Sequence, residues 1–323
     1  VPVAVMGWLS LLLIYEQPSI LPSNQSPLGA LPARFRRPRI LVIGCGDVGT
    51  RVAKLLVPRA HLIALTSSAN RLGSLRALGI RPLMGNLDDA ATLARLSGIA
   101  TRVMHLAPPP SQGESDPRTL ALLRALRRRS LPTQLVYGST SGVYGDCAGA
   151  LIDETRSLAP ATGRAKRRVD AERQLRLWGR SSGVRTHVLR IPGIYANDRE
   201  GATPRQRLAK GTPVLAAQDD VYTNHIHADD LARACIAALW KGRPQRTTHA
   251  SDDTDLKMGD YFDLAADLYR MPRPPRISRL AAQSELPAML LSFMGESRRL
   301  DNRRMKHELG LRLRYPTVRE GLP

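Results

Sequence analysis

Thr162 and Lys166, in the run LAPATGRAKRRVDAE at residues 158–172, stand one helical turn apart. Side chains at i and i+4 share a helix face, so a ligand lying along that face would touch both. Lysine is a long, flexible cation suited to ribose or phosphate oxygens. A threonine hydroxyl is a poor acid and base beside a tyrosine phenol, whose reference pKa is about 10. The pair therefore poses a choice between proton transfer and positioning.

A second chemical run is GCGDVG, comprising Gly44, Cys45, Gly46, Asp47, Val48 and Gly49. It falls between an apolar strand pattern and a helical one. Gly44 permits a tight turn, Gly46 leaves room for a pyrophosphate against the backbone, and Gly49 allows close helix packing. The amides at the helix start then meet the phosphate charge. Downstream, LTSSANRLGSL lacks the acid that grips an adenosine ribose diol. Arg71 can face a 2′-phosphate instead, with hydroxyls from Thr66, Ser67 and Ser68, which favours NADP over NAD. Asn86 and Leu87 in GNLDD border the adenine, and Leu106, Ala107 and Pro108 in HLAPPP line the middle of the cofactor. His105 reads as a packed strand residue rather than a base.

These residues need a frame. RILVI (39–43), HLIAL (61–65), IRPLM, TRVMHLA (101–107), TQLVYGS and VRTHVLRI (184–191) carry strand patterns. Between them come helical patterns at 47–57, at about 68–78, after a cap at Asp88 through about Ser97, from Asp116-Pro117 through Arg129, and from Thr162 to about Trp178. Later helices are expected at 229–240 and 257–269, with MPRPPRIS as an extended connection. The alternation predicts an α/β, Rossmann-like, doubly wound parallel sheet with a small C-terminal substrate-side subdomain. The expected division is a loose extension at 1–38, an NAD(P)-binding core at 39–195, and a mixed substrate-side region at 196–323 whose helices return to the core. Asp153-Glu154 reads as a turn, and Asp229 and Asp230 as caps of the following helix.

With 323 residues the chain can bury a sizeable core. Its formal charge of +20 could attract nucleic acid, anionic lipid or an acidic small molecule. The arginines are dispersed, there is no zinc-finger spacing or basic tail, and aromatic residues are only 4%, so solvated helix faces are expected and no nucleic-acid partner is assigned. Cys45, Cys147 and Cys235 are widely spaced, which suits a reducing compartment and a cytoplasmic protein. The apolar stretch at 3–15 is short for a membrane span and has neither the basic start nor the cleavage site of a signal peptide. The expected partner is a small-molecule substrate, with a homodimer as the expected assembly.

GSTSGVYG at 138–145 completes the pattern. Together with the glycine run and Thr162-x-x-x-Lys166, it resembles the extended short-chain dehydrogenase/reductase superfamily, particularly the NAD-dependent epimerase/dehydratase family and its atypical members, over residues 39–320. The resemblance implies that Thr140 hydrogen-bonds the reacting oxygen and that Lys166 binds the nicotinamide ribose. It implies that Pro192 and Ile194 of RIPGIY pack by the nicotinamide, and that NHIHADDLARA bridges the substrate region to a late helix. Thr162 then stands where the family carries its catalytic tyrosine. Tyr144, Tyr195, His225 or His227 could approach as a replacement, or a water held by Thr140 and Thr162 could relay the proton. Tyr195, His225 and His227 are also the expected substrate contacts. No metal is assigned, because the histidine pair has no third ligand. The function expected is that of an NAD(P)-binding oxidoreductase or epimerase-like enzyme acting on a small carbonyl or polyol-derived substrate; the alternative is a catalytically weak NAD(P)-binding sensor or scaffold.

Overall fold

In the computed structural model the described residues are 37–322, Glu200 excepted. The apolar stretch at 3–15 and nearly all of the expected extension at 1–38 lie outside them. Residues 38–323 form one compact unit. Among the described residues no helix is long and apolar enough to cross a membrane.

Seven strands form a fully parallel sheet: β1 (Arg39–Ile43), β2 (His61–Thr66), β3 (Arg81–Met84), β4 (Arg102–His105), β5 (Gln134–Thr140), β6 (Arg185–Ile191) and β7 (Arg246–His249). Their spatial order is β3-β2-β1-β4-β5-β6-β7. The chain winds outward from β1 in one direction and, after crossing over to β4, in the other. That reversal opens a crevice at the strands' carboxyl ends.

Helices cover both faces, and so the inner strands are apolar runs rather than alternating ones. Helices α1 (Asp47–Leu56) and, late in the chain, α5 (Ala228–Lys241) cover one face, where Val52 and Leu56 share a core with Ile40, Val42, Leu231, Cys235 and Leu239. Helices α3 (Pro117–Leu126) and α4 (Gly163–Ser182) cover the other, with Leu122, Leu126, Leu175 and Trp178 against Leu41, Ile43 and Tyr137. Helix α2 (Arg71–Ala77) joins β2 to β3. A further cluster around Tyr195, Val214, Tyr261 and Phe262 belongs to the later chain. All three cysteines are buried and free.

Several helix starts differ from expectation for local reasons. The segment after β3 is a 3₁₀ stretch, Ala90–Leu96, capped by Asp89, which accepts from Ala91 N at 3.1 Å. Asp88 is drawn away instead into a two-pronged pair with Arg118. Helix α5 is capped by His227, whose Nδ1 accepts from Asp229 N at 3.2 Å, not by its two aspartates. Asp229 pairs with Arg51, and the buried Asp230 carboxylate accepts from the amides of Arg314 and Tyr315. Helix α3 starts as expected, with Asp116 accepting from Thr119 N, and stops early at Leu126. Helix α4 begins at Thr162, whose hydroxyl accepts from Ala165 N at 3.2 Å, and runs past Trp178 until Gly183 turns left-handed at φ +72°.

Candidate active site

The carboxyl ends of β1 to β4 enclose a cleft of about 420 Å³. It is lined by Gly44, Cys45 and Gly46 after β1, by Thr66, Ser67, Ser68 and Arg71 after β2, by Asn86 and Leu87 after β3, and by Leu106, Ala107 and Pro108 after β4. Arg118 also lines it, a residue that sequence reasoning missed, because its partners, the Asp88 carboxylate and the Pro108 carbonyl, meet it only in the fold.

Each glycine of the loop has a distinct steric reason. Gly44 sits at φ +83°, and a Cβ there would lie 2.3 Å from Ala107 N, so the turn and the neighbouring loop both require glycine. At Gly49 a Cβ would meet Gly44 O at 3.0 Å, the close packing that brings α1 against the loop. A Cβ on Gly46 would meet nothing within 4 Å and would project into open space. Gly46 also starts α1 with no side-chain cap, leaving first-turn amides for a phosphate. Asp47 points to Arg51 and Arg199. Arg71 Nη2 donates to Cys45 O at 2.8 Å, which holds its guanidinium over the loop. An open backbone cradle, uncapped helix amides and a cation at the end of β2 fit a dinucleotide.

At Leu106, which lines both, this cleft adjoins a second one of about 540 Å³. The second is lined by the turn Gly138–Gly142, Thr162, Arg164 and Arg168 of α4, Ile191 to Ile194, Arg207, Tyr222 to His225, Tyr261, Phe293, Glu296 and Arg298. Thr140 and Thr162 therefore both line this cleft, with Val48, Pro192 and Ile194. Thr140 Oγ1 accepts from Gly142 N at 3.2 Å.

The other sequence candidates stand elsewhere. Lys166 lines neither cleft, and its Nζ lies 2.5 Å from Glu114 Oε1. Tyr144 is 1% exposed, and its hydroxyl is already taken by Arg190 Nη1 at 2.6 Å and His249 Nε2 at 2.5 Å. Burial pushes its phenol up to about 12. The same buried network runs through Arg190 and Glu172 to Ser139 Oγ, which donates to Glu172 Oε1 at 2.6 Å. Tyr195 is buried with its hydroxyl toward Thr317 O, and its phenol is pushed well above the ordinary range by burial. His227 is spent as a helix cap with its ring against Tyr315. Only His225 reaches the cleft, stacked on Tyr261 at 4.2 Å with Nε2 2.9 Å from Thr223 Oγ1. Burial lowers its pKa to about 4, so it is a neutral imidazole at pH 7.

Among the described residues, four arginines, Arg164, Arg168, Arg207 and Arg298, line this cleft against one carboxylate, Glu296. Arg207 is the least satisfied: its Nε and Nη2 are buried without a partner while the group lies 4.3 Å over the Phe262 ring. None of these five was singled out from the sequence. The i,i+4 spacing of Arg164 and Arg168 was a visible signal, whereas Arg207, Glu296 and Arg298 come from segments with no motif.

Residues 40–250 match the model of the NAD dependent epimerase/dehydratase family. The chain belongs to that family. Among curated relatives it is 28% identical over 236 residues to the dTDP-glucose 4,6-dehydratase of Mycolicibacterium smegmatis, covering 65% of this chain and 71% of the relative. Among solved structures it resembles a conserved protein of unknown function from Silicibacter pomeroyi, with TM-score 0.74 and 29% identity over 88% of this chain and 96% of that one. A UDP-glucuronic acid 4-epimerase from Bacillus cereus, solved with NAD, shares the fold at TM-score 0.69 and 16% identity, over 88% and 96% of the two chains. Family membership accounts for the glycine loop and the sheet order.

Proposed function

We propose that this protein is a dinucleotide-dependent oxidoreductase or epimerase-like enzyme whose substrate is an anionic derivative of a sugar or other polyol, a nucleotide sugar above all. The observation that carries the reading is the meeting at Leu106 of a glycine-floored cleft with a cleft lined, among the described residues, by four arginines and one carboxylate. A bound nicotinamide would supply the hydride donor or acceptor. The chain's own part is to hold phosphates on the Gly46 backbone and α1 amides, to bind substrate anion with Arg207 and its neighbours, and to orient a reacting oxygen with Thr140 and Thr162. Lys166 would exchange Glu114 for ribose oxygens.

NADP is favoured over NAD because no carboxylate follows β2 and Arg71 lies there. Fluorescence titration with NADPH and NADH, repeated with Arg71→Ala, tests this. NADPH is expected to weaken by about tenfold and NADH little, as for loss of one charge-assisted contact. Equal losses for both cofactors would remove the case for NADP.

A second reading has its own observation: Thr162 is used as a helix cap and Lys166 is engaged by Glu114. In that reading the protein binds the dinucleotide and signals its presence without turnover. Product analysis with dTDP-glucose, UDP-glucose and UDP-glucuronic acid separates the two, since conversion of any of them rules out a purely non-catalytic role.

A further inference from the structure

We propose that Glu296 is the proton-carrying residue of the arginine-lined cleft, doing the work that a tyrosine at position 162 would do; this rests on the enzymatic reading above. Among the described residues it is the sole carboxylate lining that cleft. It reaches the site from a segment more than a hundred residues after α4, and so no local spacing announces it.

Position is the first argument. A Cβ built on Gly142 would lie 3.6 Å from Thr140 Oγ1, 3.7 Å from Thr140 Cγ2 and 4.0 Å from Glu296 Oε2. The threonine hydroxyl and the carboxylate thus flank one small opening that glycine leaves unfilled, in a cleft that Thr162 also lines. A substrate oxygen seated there would face both an orienting hydroxyl and a group able to take its proton.

Fixation is the second. Arg298 Nη1 lies 2.8 Å from Glu296 Oε2 and also donates to Gly145 O at 2.7 Å. Between them, Ser297 N donates to Asp146 Oδ1 at 2.7 Å and Ser297 O accepts from Cys147 N at 2.9 Å. The segment is stitched to the turn after Tyr144, so the carboxylate is held rather than hanging in a loop. Of the charged and titratable groups, Arg298 is paired with it, Cys147 and Asp146 stand on the turn its segment is bonded to, and Arg164 lines the same cleft.

The arginines, the threonines, Tyr261 and His225 of the cleft are poorer carriers. Guanidinium does not release its proton in proteins and threonine does not ionise. Burial pushes the Tyr261 phenol well up, and His225 is already bonded to Thr223 and stacked on Tyr261. In the oxidative direction the substrate O–H bond breaks and its proton forms a new O–H bond on Glu296. The C–H bond breaks with its electron pair leaving as hydride to the nicotinamide dinucleotide, and the pair left on oxygen closes C=O. Substrate is oxidised and dinucleotide reduced; the reverse step returns the proton from Glu296.

The test uses the full-length holoprotein with NADP⁺ or NAD⁺ and the three nucleotide sugars named above, comparing wild type, Glu296→Gln, Glu296→Asp and His225→Asn. Expected is a fall in kcat of about 100-fold or more in Glu296→Gln, loss of the limb of the kcat–pH profile that the carboxyl governs, and partial recovery in Glu296→Asp. Calorimetric affinities for NADPH and nucleotide sugar should be unchanged. Turnover by Glu296→Gln with the wild-type pH profile overturns the proposal alone, as does a variant whose only defect is lost binding, or loss of the limb in His225→Asn instead. No turnover by wild type on any of the three sugars, with NADPH still bound, overturns the enzymatic reading and this proposal with it.

Discussion

Thr162 is where chemistry and folding meet in a single side chain. Its hydroxyl lines the second cleft and also caps α4. Thr162→Ala is therefore expected to cost about 1 kcal/mol of stability, the usual loss for an N-cap, read as a lower urea midpoint, independently of any effect on turnover. Glu172 poses a sharper case, fully buried between Arg190 and Ser139. Glu172→Ala would strand the 2%-exposed Arg190 charge, at an expected cost of about 3–5 kcal/mol, seen as a strongly lowered melting temperature or failure to fold. Tyr144 illustrates what residue-level reading could not reach. Its neighbours Thr140 and Ser139 are close in sequence, yet the partners that occupy its hydroxyl come from β6 and β7.

At the level of elements, the β1–α1 turn separates binding from folding within three residues. Gly44→Ala forces a Cβ toward Ala107 N and a left-handed φ on alanine, so the protein should lose stability as well as cofactor. Gly46→Val adds its side chain to empty space, so the melting temperature should hold while NADPH weakens by about tenfold or more. A Gly46→Val variant with unchanged affinity would mean that the dinucleotide does not lie on that backbone. The strand and helix alternation was legible because buried parallel strands are apolar runs and helices show their 3.6 period. Helix starts were less so. Asp88, Asp229 and Asp230 are all plausible caps by type, but arginine partners and distant amides claimed their carboxylates, leaving Asp89 and His227 to cap.

Across the whole molecule, burial sets the response to pH. Desolvation lowers His105 and His249 to about 3, and His187 and His225 to about 4, so all four are neutral in the fold. Once unfolded, each returns to about 6.5. Their contribution is full above pH 6.5 and is lost as pH falls toward the folded values, because the unfolded chain then binds more protons. Asp252 acts with the opposite sign: burial raises it to about 7, so it takes up a proton in the fold first and its contribution grows on acidification from pH 7 to about 4. Burial also raises Glu154 and Asp220, but the four imidazoles outweigh these carboxyls, and the melting temperature at about pH 5 should lie below that at pH 7 in buffers of equal ionic strength.

Composition and periodicity were enough for the α/β class, the doubly wound sheet and the loop that would receive a dinucleotide, because these depend on neighbours within a few residues: a glycine where a Cβ would clash, an apolar run where both faces are covered. The resemblance to the family, not the local pattern, implied that Thr162 stands where a tyrosine would be expected. Which groups share a cleft with Thr162 was decided only in three dimensions. Arg207, Glu296 and Arg298 reach the second cleft from segments far apart along the chain, and the burial that sets their partners is a property of the packed whole. A sequence specifies such groups only through the fold, since Coulomb attraction and desolvation act over distances in space and not along the chain.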